Sequence, residues 1–476
     1  MDLPHARERS ACQSRIGDLH TLICFPHTVF STLANRLLEA SPDEAFALLF
    51  GKREVVGRTR IIKIIEIRFA RSIDYESQSA GHVRLKREYI YDVLCDLTER
   101  LDVDTLIDVH THPFAQDYVA FSGIDDADEK RFAVFLGESF PDILFASIVL
   151  SQTQYAARVW DFTKGALSPS PAMVRTQTLR EERHNSEAPP DSPSACSNEL
   201  FARAELAVGA ELIRTLASKE RVTIVGLGGL GSVIAENLVH MGFSHLTLID
   251  PDILELSNIS RVAGAKHAQA ISKDAKVVAV QQHLTSINPD ASISALQKDI
   301  NDPDIEEHIA NSNWLIVATD NHSSRFRCQL LSLKYFVPLI SAGVNITIQN
   351  DVITDVSGEV IIAKIGDNLC LHCLGRLNFS KIAYESHSDM AIRDLLVARG
   401  YVQGAHVKEP AVKTLNSIVG ALAVDALLNQ YTGRQISRPI TVYENNNSPA
   451  IYIDDISVEN RNKSCYLCSI DPYYRG

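Results

Sequence analysis

The chain has 476 residues, 45% hydrophobic, 22% charged and 7% aromatic, which excludes a disordered, collagen-like or coiled-coil protein and suggests two or three domains. Its 46 basic and 59 acidic residues leave a formal net charge of −13, which argues against nucleic-acid binding through a basic surface. The longest apolar run, 415–424, stops at Asp425, too short for a membrane span, and the opening MDLPHARERSACQSR lacks the apolar core of a secretory signal. A soluble, cytoplasmic protein is expected. Nine cysteines are ordinary for this length, but four form the pairs Cys370/Cys373 and Cys465/Cys468, a spacing that points to metal in a reducing compartment.

Residues 1–165 read as a mixed α and β domain. Strands are predicted at 21–26, 45–50, 60–69, 105–109, 143–150 and 155–162, with helices at 27–40, 83–100 and 125–136. Residues 166–198 are rich in Pro, Ser and charge with no surviving period, and are expected to be a flexible linker. From 199 to 476 the pattern alternates: helix 200–218, strand 221–225, helix 230–241, strand 245–250, helix 272–286, strand 314–319, helix 322–335, strand 338–342. That alternation predicts a doubly wound, Rossmann-like α/β sheet.

In the first block an apolar strand ends in His110-Thr111-His112, and strand alternation puts both imidazoles on one face. Ser122 and Asp125 open the next predicted helix, and Glu44 precedes the strand AFALLFG. Two histidines and a carboxylate leave one tetrahedral position open, the pattern of a catalytic zinc, and such a site needs a base. Each residue alone has a bland reading, as a surface or turn residue. The ordered set resembles the JAMM (JAB/MPN) metalloproteases, an α+β family. That resemblance implies zinc on His110, His112 and Asp125, Glu44 as general base, and Ser122 as support for the oxyanion. Nine residues separate His112 from Ser122, about two more than the family spacing, so the connecting loop is altered.

The second block carries a glycine turn, Gly226-Leu-Gly228-Gly229-Leu-Gly231, between a strand and a helix, followed by Asp250 at the end of the next strand. Such a turn lets backbone amides approach a nucleotide, with NAD as the first reading. The residues beyond Asp250 disfavour NAD. Asp252, Asn258, Arg261, Lys276 and Asp320 add two cations and further acids, which suit a triphosphate with Mg²⁺. The order DxD…SN..R, a helix Lys, Ile287-Asn288-Pro289 and the Thr319-Asp320 pair resembles the ubiquitin-activating superfamily, including the ThiF/MoeB-type adenylyltransferases. The resemblance implies ATP and Mg²⁺, with Asp250 on ribose, Asn258, Arg261 and Lys276 on phosphates, Asp320 near Mg²⁺, a homodimer, and Arg203 reaching the other subunit's site. The two cysteine pairs then read as a closed, structural zinc site of four cysteines.

The expected protein is a bacterial fusion of two enzymes acting on the C-terminal tail of a ubiquitin-like carrier, one adenylating it with ATP and one cleaving a peptide or isopeptide bond beside it. Such fusions resemble those of ubiquitin-like conjugation operons, some antiphage. Two readings compete: an NAD-dependent oxidoreductase, and a non-catalytic scaffold with decayed sites. No cysteine lies between Cys373 and Cys465. Cys328 reads as a core thiol, Cys196 as a linker bystander, and Ser386 or Ser388 lacks an identifiable base. The acyl group is therefore expected to pass to a partner, a conjugating enzyme or a sulfur donor.

Overall fold

The computed structural model of the chain describes residues 19–468, apart from 57, 116–118, 141, 161–167, 176–196, 365–366, 388–392, 394–409, 435–437, 464 and 466. In the N-terminal part, seven strands close into a barrel: β1 (His20–Cys24), β3 (Thr59–Phe69), β2 (Phe46–Val56), β6 (Thr105–Thr111), β7 (Leu144–Leu150), β8 (Tyr155–Trp160) and β9 (Pro169–Arg175). Every residue of β6 and of β7 is buried, because both faces are covered. These two strands run parallel, so the chain between them must cross over, and α3 (Gly123–Ser139) makes that crossing. The crossing lays the first turn of α3 over the carboxyl end of β6. A two-stranded ribbon, β4 (Tyr75–Ser79) and β5 (His82–Leu85), stands beside it. The helix expected from 83 starts at Arg87 instead, because His82–Leu85 is taken up in that ribbon.

The linker expected at 166–198 is corrected at its start. Pro169–Arg175 is strand β9, antiparallel to β8 and parallel to β1, and it closes the barrel. Its prolines, Pro169 and Pro171, lie where β9 pairs with β8 alone; pairing with β1 begins at Ala172, so the missing N–H groups cost no ladder bond on that side.

The C-terminal part is one eight-stranded sheet, ordered β12 (Ser292–Leu296), β11 (His245–Ile249), β10 (Arg221–Val225), β13 (Trp314–Val317), β14 (Leu339–Gln349), β15 (Val352–Ala363), β16 (Ile440–Glu444), β17 (Ala450–Ile453). The first five strands are mutually parallel and the last three antiparallel additions. The strand order reverses at β10, between β11 and β13, the switch point where such sheets bind ligands. The helix expected over 200–218 is two, α4 (Ser197–Val208) and α5 (Ala210–Ser218), broken where Gly209 takes a φ of 93°.

The two parts share a core. Leu22, Cys24 and Ile61 of the barrel are buried in one apolar cluster with Ile309, Tyr335 and Leu339 of the sheet domain. Around it, Thr59 Oγ1 donates to Asn311 Oδ1 at 2.7 Å and Lys334 Nζ lies 3.1 Å from Glu54 Oε1. Arg175, the last residue of β9, donates to the carbonyls of Ala310 at 2.8 Å and Tyr335 at 3.2 Å. Those are the last residues of α9 (Ile305–Ala310) and α10 (His322–Tyr335), whose terminal carbonyls lack helical partners and attract a cation. The segment expected to tether the domains loosely thus begins with a strand that docks them.

Candidate active sites

The N-terminal site is built on the end of β6 and the start of α3. His110 Nε2 lies 3.5 Å from Asp125 Oδ1, and His112 Nε2 lies 3.4 Å from Asp125 Oδ2. Donors about 2.1 Å from one tetrahedral ion sit about 3.4 Å apart, so the three side chains stand at ligand spacing. His110 Nε2 is buried with no hydrogen-bond partner among the described residues, which fits a nitrogen reserved for a metal. Ser122 caps α3: its Oγ accepts from Asp125 N at 3.2 Å, while its own N–H donates to Asp125 Oδ2 at 2.5 Å. The expected Ser-x-x-Asp pair is therefore a capping box that aims Asp125 at the histidines.

Burial works to raise the Asp125 carboxyl, but the two imidazoles and the Ser122 amide outweigh it and hold Asp125 well below the usual carboxylate range. His112 is shifted up, chiefly by its hydrogen bond with Asp125. Glu44, 9% exposed, lines the same cavity of about 600 Å³ as His110, His112, Ser122 and Asp125. Burial pushes its carboxyl up, against the pull of His112 and His110. The altered His112–Ser122 loop lies partly outside the described residues, at 116–118.

Sequence reasoning missed what lies beneath these ligands. Asp108, Glu129 and Arg158 are all buried, and Glu129 Oε2 accepts from Ser147 Oγ at 2.6 Å, Arg158 Nε at 2.8 Å and Trp160 Nε1 at 2.8 Å. The signal was available: Asp108 is two residues before His110 on the strand, and Glu129 four after Asp125 on the helix.

The second site is the turn between β10 and α6 (Gly229–His240). Gly226 has a φ of 89°, and a Cβ there would lie 2.9 Å from the Ala318 carbonyl oxygen. A Cβ on Gly231 would sit 1.8 Å from the Gly226 carbonyl oxygen, and one on Gly229 would sit 2.3 Å from Asn416 Nδ2. Gly228 faces open space, and no side chain caps α6, so its first amides are offered to an anion. Arg261 lies across Gly229, its Cβ and Cδ each 3.2 Å from the position of a Cβ on Gly229.

Asp250 is buried, and its oxygens accept from Leu227 N at 2.7 Å and Asp252 N at 2.9 Å, so it buttresses the glycine turn. Asn258 is likewise buried and its Oδ1 accepts from Glu255 N at 3.1 Å, so that oxygen serves its own turn rather than pointing outward. Lys276 Nζ pairs with Asp252 Oδ2 at 2.6 Å. Asp320 is exposed just past β13, ahead of α10, and Arg203 is exposed on α4. Ser386 Oγ lies 3.1 Å from Ser323 Oγ, while Ser388 and Cys196 lie outside the described residues. Cys328 is fully buried, and burial pushes its thiol up, consistent with a core residue.

A third cluster gathers Cys370, Cys373, Cys465 and Cys468, all buried and all free thiols. Cys370 Sγ is 3.7 Å from Cys465 Sγ, and Cys468 Sγ is 3.9 Å from Cys373 Sγ. Four sulfurs 2.3 Å from one tetrahedral ion would be about 3.8 Å apart. The thiols stand where a single metal ligated by all four would hold them.

Comparison with known proteins bears on both parts. The ThiF family matches residues 201–467, and the prokaryotic homologs of the JAB domain match residues 26–163. Molybdopterin-synthase adenylyltransferase of Escherichia coli is 34% identical over 158 residues, 33% of this chain and 59% of that enzyme. The Nedd8-activating enzyme E1 catalytic subunit of Drosophila melanogaster is 41% identical over 61 residues, 13% of this chain and 14% of that subunit. Among solved structures, E. coli MccB with MccA-N7isoASN is similar with a TM-score of 0.44 and 16% identity, covering 59% of this chain and 76% of that one. No helix among the described residues is long and apolar enough to cross a membrane. The chain belongs to the ThiF family and carries, ahead of that domain, a homologue of the prokaryotic JAB domain.

Proposed function

We propose that the C-terminal domain adenylates the C-terminal glycine of a ubiquitin-like carrier, and that the N-terminal domain hydrolyses a peptide or isopeptide bond beside that tail. The observation that carries the first half is the start of α6, uncapped by any side chain, open at Gly228 and faced by Arg261. A triphosphate there meets backbone N–H groups and a guanidinium, and Lys276 is one ion-pair exchange away from its phosphates. Asp320 at the mouth is the acid for Mg²⁺. The carrier's terminal carboxylate attacks the α-phosphorus, the acyl phosphate anhydride forms, and pyrophosphate leaves. Arg203 is exposed on α4, as a residue crossing to a second subunit of a homodimer must be. The acyl group then passes to a partner's thiol, on a conjugating enzyme or a sulfur donor.

For the second half, zinc on His110, His112 and Asp125 would supply Lewis acidity to a carbonyl and to water. Glu44 takes the proton of the attacking water and returns it to the leaving amine. The Ser122 hydroxyl, whose oxygen already accepts from Asp125 N, donates its proton to the oxyanion. The cleaved product is a carrier with a free carboxylate, which is what adenylation requires, so either precursor or conjugate serves as substrate. An antiphage conjugation pathway is one setting for this pair.

Exchange of labelled pyrophosphate into ATP, with a small Gly-Gly-tailed ubiquitin-like protein present, tests the first half. Exchange should disappear in Asp320→Ala and fall about tenfold to a hundredfold in Arg261→Ala and Lys276→Ala, as loss of a charge-assisted phosphate contact of about 1.5–3 kcal/mol requires. Carrier-independent exchange, or full exchange in Asp320→Ala, contradicts the proposal.

A further inference from the structure

We infer that Asp108, Glu129 and Arg158 form a second layer that positions the metal ligands of the N-terminal site, an inference that rests on His110, His112 and Asp125 holding zinc. The two rows of residues that make the site continue past it. On β6, alternation puts Asp108 on the face of His110 and His112; on α3, one turn puts Glu129 behind Asp125. One oxygen each of Asp108 and Glu129 lies within 4.8 Å of a ring nitrogen of His110, and of each other. All three residues are buried, at 6%, 5% and 4% exposure for Asp108, Glu129 and His110.

Burying two carboxylates together is costly unless something uses them. Glu129 Oε2 is consumed by Ser147, Arg158 and Trp160, yet Glu129 Oε1 and Asp108 Oδ1 have no hydrogen-bond partner among the described residues. Both orphan oxygens belong to side chains that stand beside the His110 ring. Acid side chains behind a ligating imidazole fix its orientation and raise its basicity.

Arg158 completes the layer from β8, two strands along the barrel from β6. Its Nε donates to Glu129, its Nη1 donates to Asp126 Oδ1 at 2.5 Å, and its guanidinium lies 3.7 Å from the centre of the Phe121 ring. Those contacts grip the residue before Ser122, the first turn of α3 and the turn after it. The same arginine therefore sets the Ser122–Asp125 capping box and anchors the acid beneath His110. None of the three reaches the scissile bond in this assignment; they act through His110 and Asp125.

The test is zinc affinity of the full chain, measured by stripping the metal and titrating zinc against a chromophoric chelator, with Asp108→Asn and Glu129→Gln as variants. Asp108→Asn is the deciding one, because it leaves the Arg158–Glu129 pair intact. Affinity of the His/Asp site should fall about tenfold to a hundredfold in both variants, as removing the carboxylate behind a metal-bound histidine does elsewhere. Binding at the four-cysteine cluster should not change, and with that cluster loaded and the His/Asp site empty Asp108→Asn should melt no lower than the parent, whereas a merely structural role would lower it. The visible absorption of the cobalt(II)-loaded protein should shift in Asp108→Asn as His110 reorients. Parent-like affinity in Asp108→Asn overturns the inference. So does a further zinc equivalent that Asp108→Asn abolishes, since the acids would then be ligands of their own ion. If His110→Ala leaves zinc binding untouched, the metal site itself is wrong, and that failure is distinct from failure of the second layer.

Discussion

The two metal-ready clusters use different donors because they face different surroundings. The four cysteines are buried and surround one point with sulfur at tetrahedral spacing, which leaves no position for a substrate. His110, His112 and Asp125 give three donors at the wall of a cavity of about 600 Å³, with an acid, Glu44, on the same wall. The first arrangement can brace a chain end, tying 370–373 to 465–468; the second can meet a substrate. Donor count and exposure, more than the identity of the ion, separate bracing from chemistry.

The largest effect should come from breaking the closed cluster. Structural zinc contributes about 10–16 kcal/mol of apparent binding energy in small domains, so Cys465→Ser should cost one zinc equivalent and lower the apparent melting temperature by well over about 10 °C. His110→Ala should also cost one zinc but lower the melting temperature far less, because its loss truncates one side chain at the cavity wall and releases no chain end. Elemental analysis and calorimetry on the two variants check this; equal melting losses would erase the distinction between the clusters.

A smaller but sharper effect is expected inside the open site. Glu44→Gln keeps size and polarity but cannot take a proton, so peptide cleavage should fall by about 10²–10⁴-fold with zinc retained. Burial raises the Glu44 carboxyl above its ordinary value of 4.5. A base is active only when deprotonated, so cleavage should rise from acid towards neutral pH as Glu44 gives up its proton. A flat profile across that range in the parent enzyme, or undiminished cleavage by Glu44→Gln, removes Glu44 from the mechanism.

Legibility in the sequence depends on what the residues do locally. His110-Thr111-His112, Ser122-Gly-Ile-Asp125 and the glycine turn announce themselves because strand alternation, helix capping and tight turns write short, fixed spacings. The alternation of β10, β11, β13 and β14 came through for the same reason, whereas edge strand β12, with no buried residue to mark its period, did not. Nor did strand β9, since Pro169, Ser170 and Pro171 read as a linker; only the closing of the barrel shows that the prolines lie ahead of the stretch that pairs with β1. Asn258 reads as a phosphate ligand by its place in the motif; that its Oδ1 also accepts from Glu255 N and holds its own turn is visible only in the folded chain. Arg175 and its two helix ends, 135 and 160 residues away in sequence, are joined by tertiary packing alone.

The smallest expected effect lies at the seam between the two regions. Glu306 of α9 accepts from Lys334 Nζ at 2.8 Å and Arg327 Nη2 at 2.7 Å, and also from the Tyr335 hydroxyl. Lys334 in turn reaches Glu54 of the barrel, so this carboxylate orders the surface on which the barrel sits. Partial burial works to raise Glu306, but Lys334 and Tyr335 outweigh it and hold the carboxyl at about 2, against an ordinary 4.5. A depressed carboxyl stabilises the fold above its unfolded value, and that stabilisation is lost as pH falls from 4.5 towards 2. Glu306→Gln should therefore melt about 1–3 °C lower than the parent at neutral pH, the size of a partly exposed ion pair, and the gap should close on acidification across that window. A gap that stays constant through the window would assign the loss to packing of the side chain instead of its charge, and would leave the docking of the two domains to the apolar cluster and to Arg175.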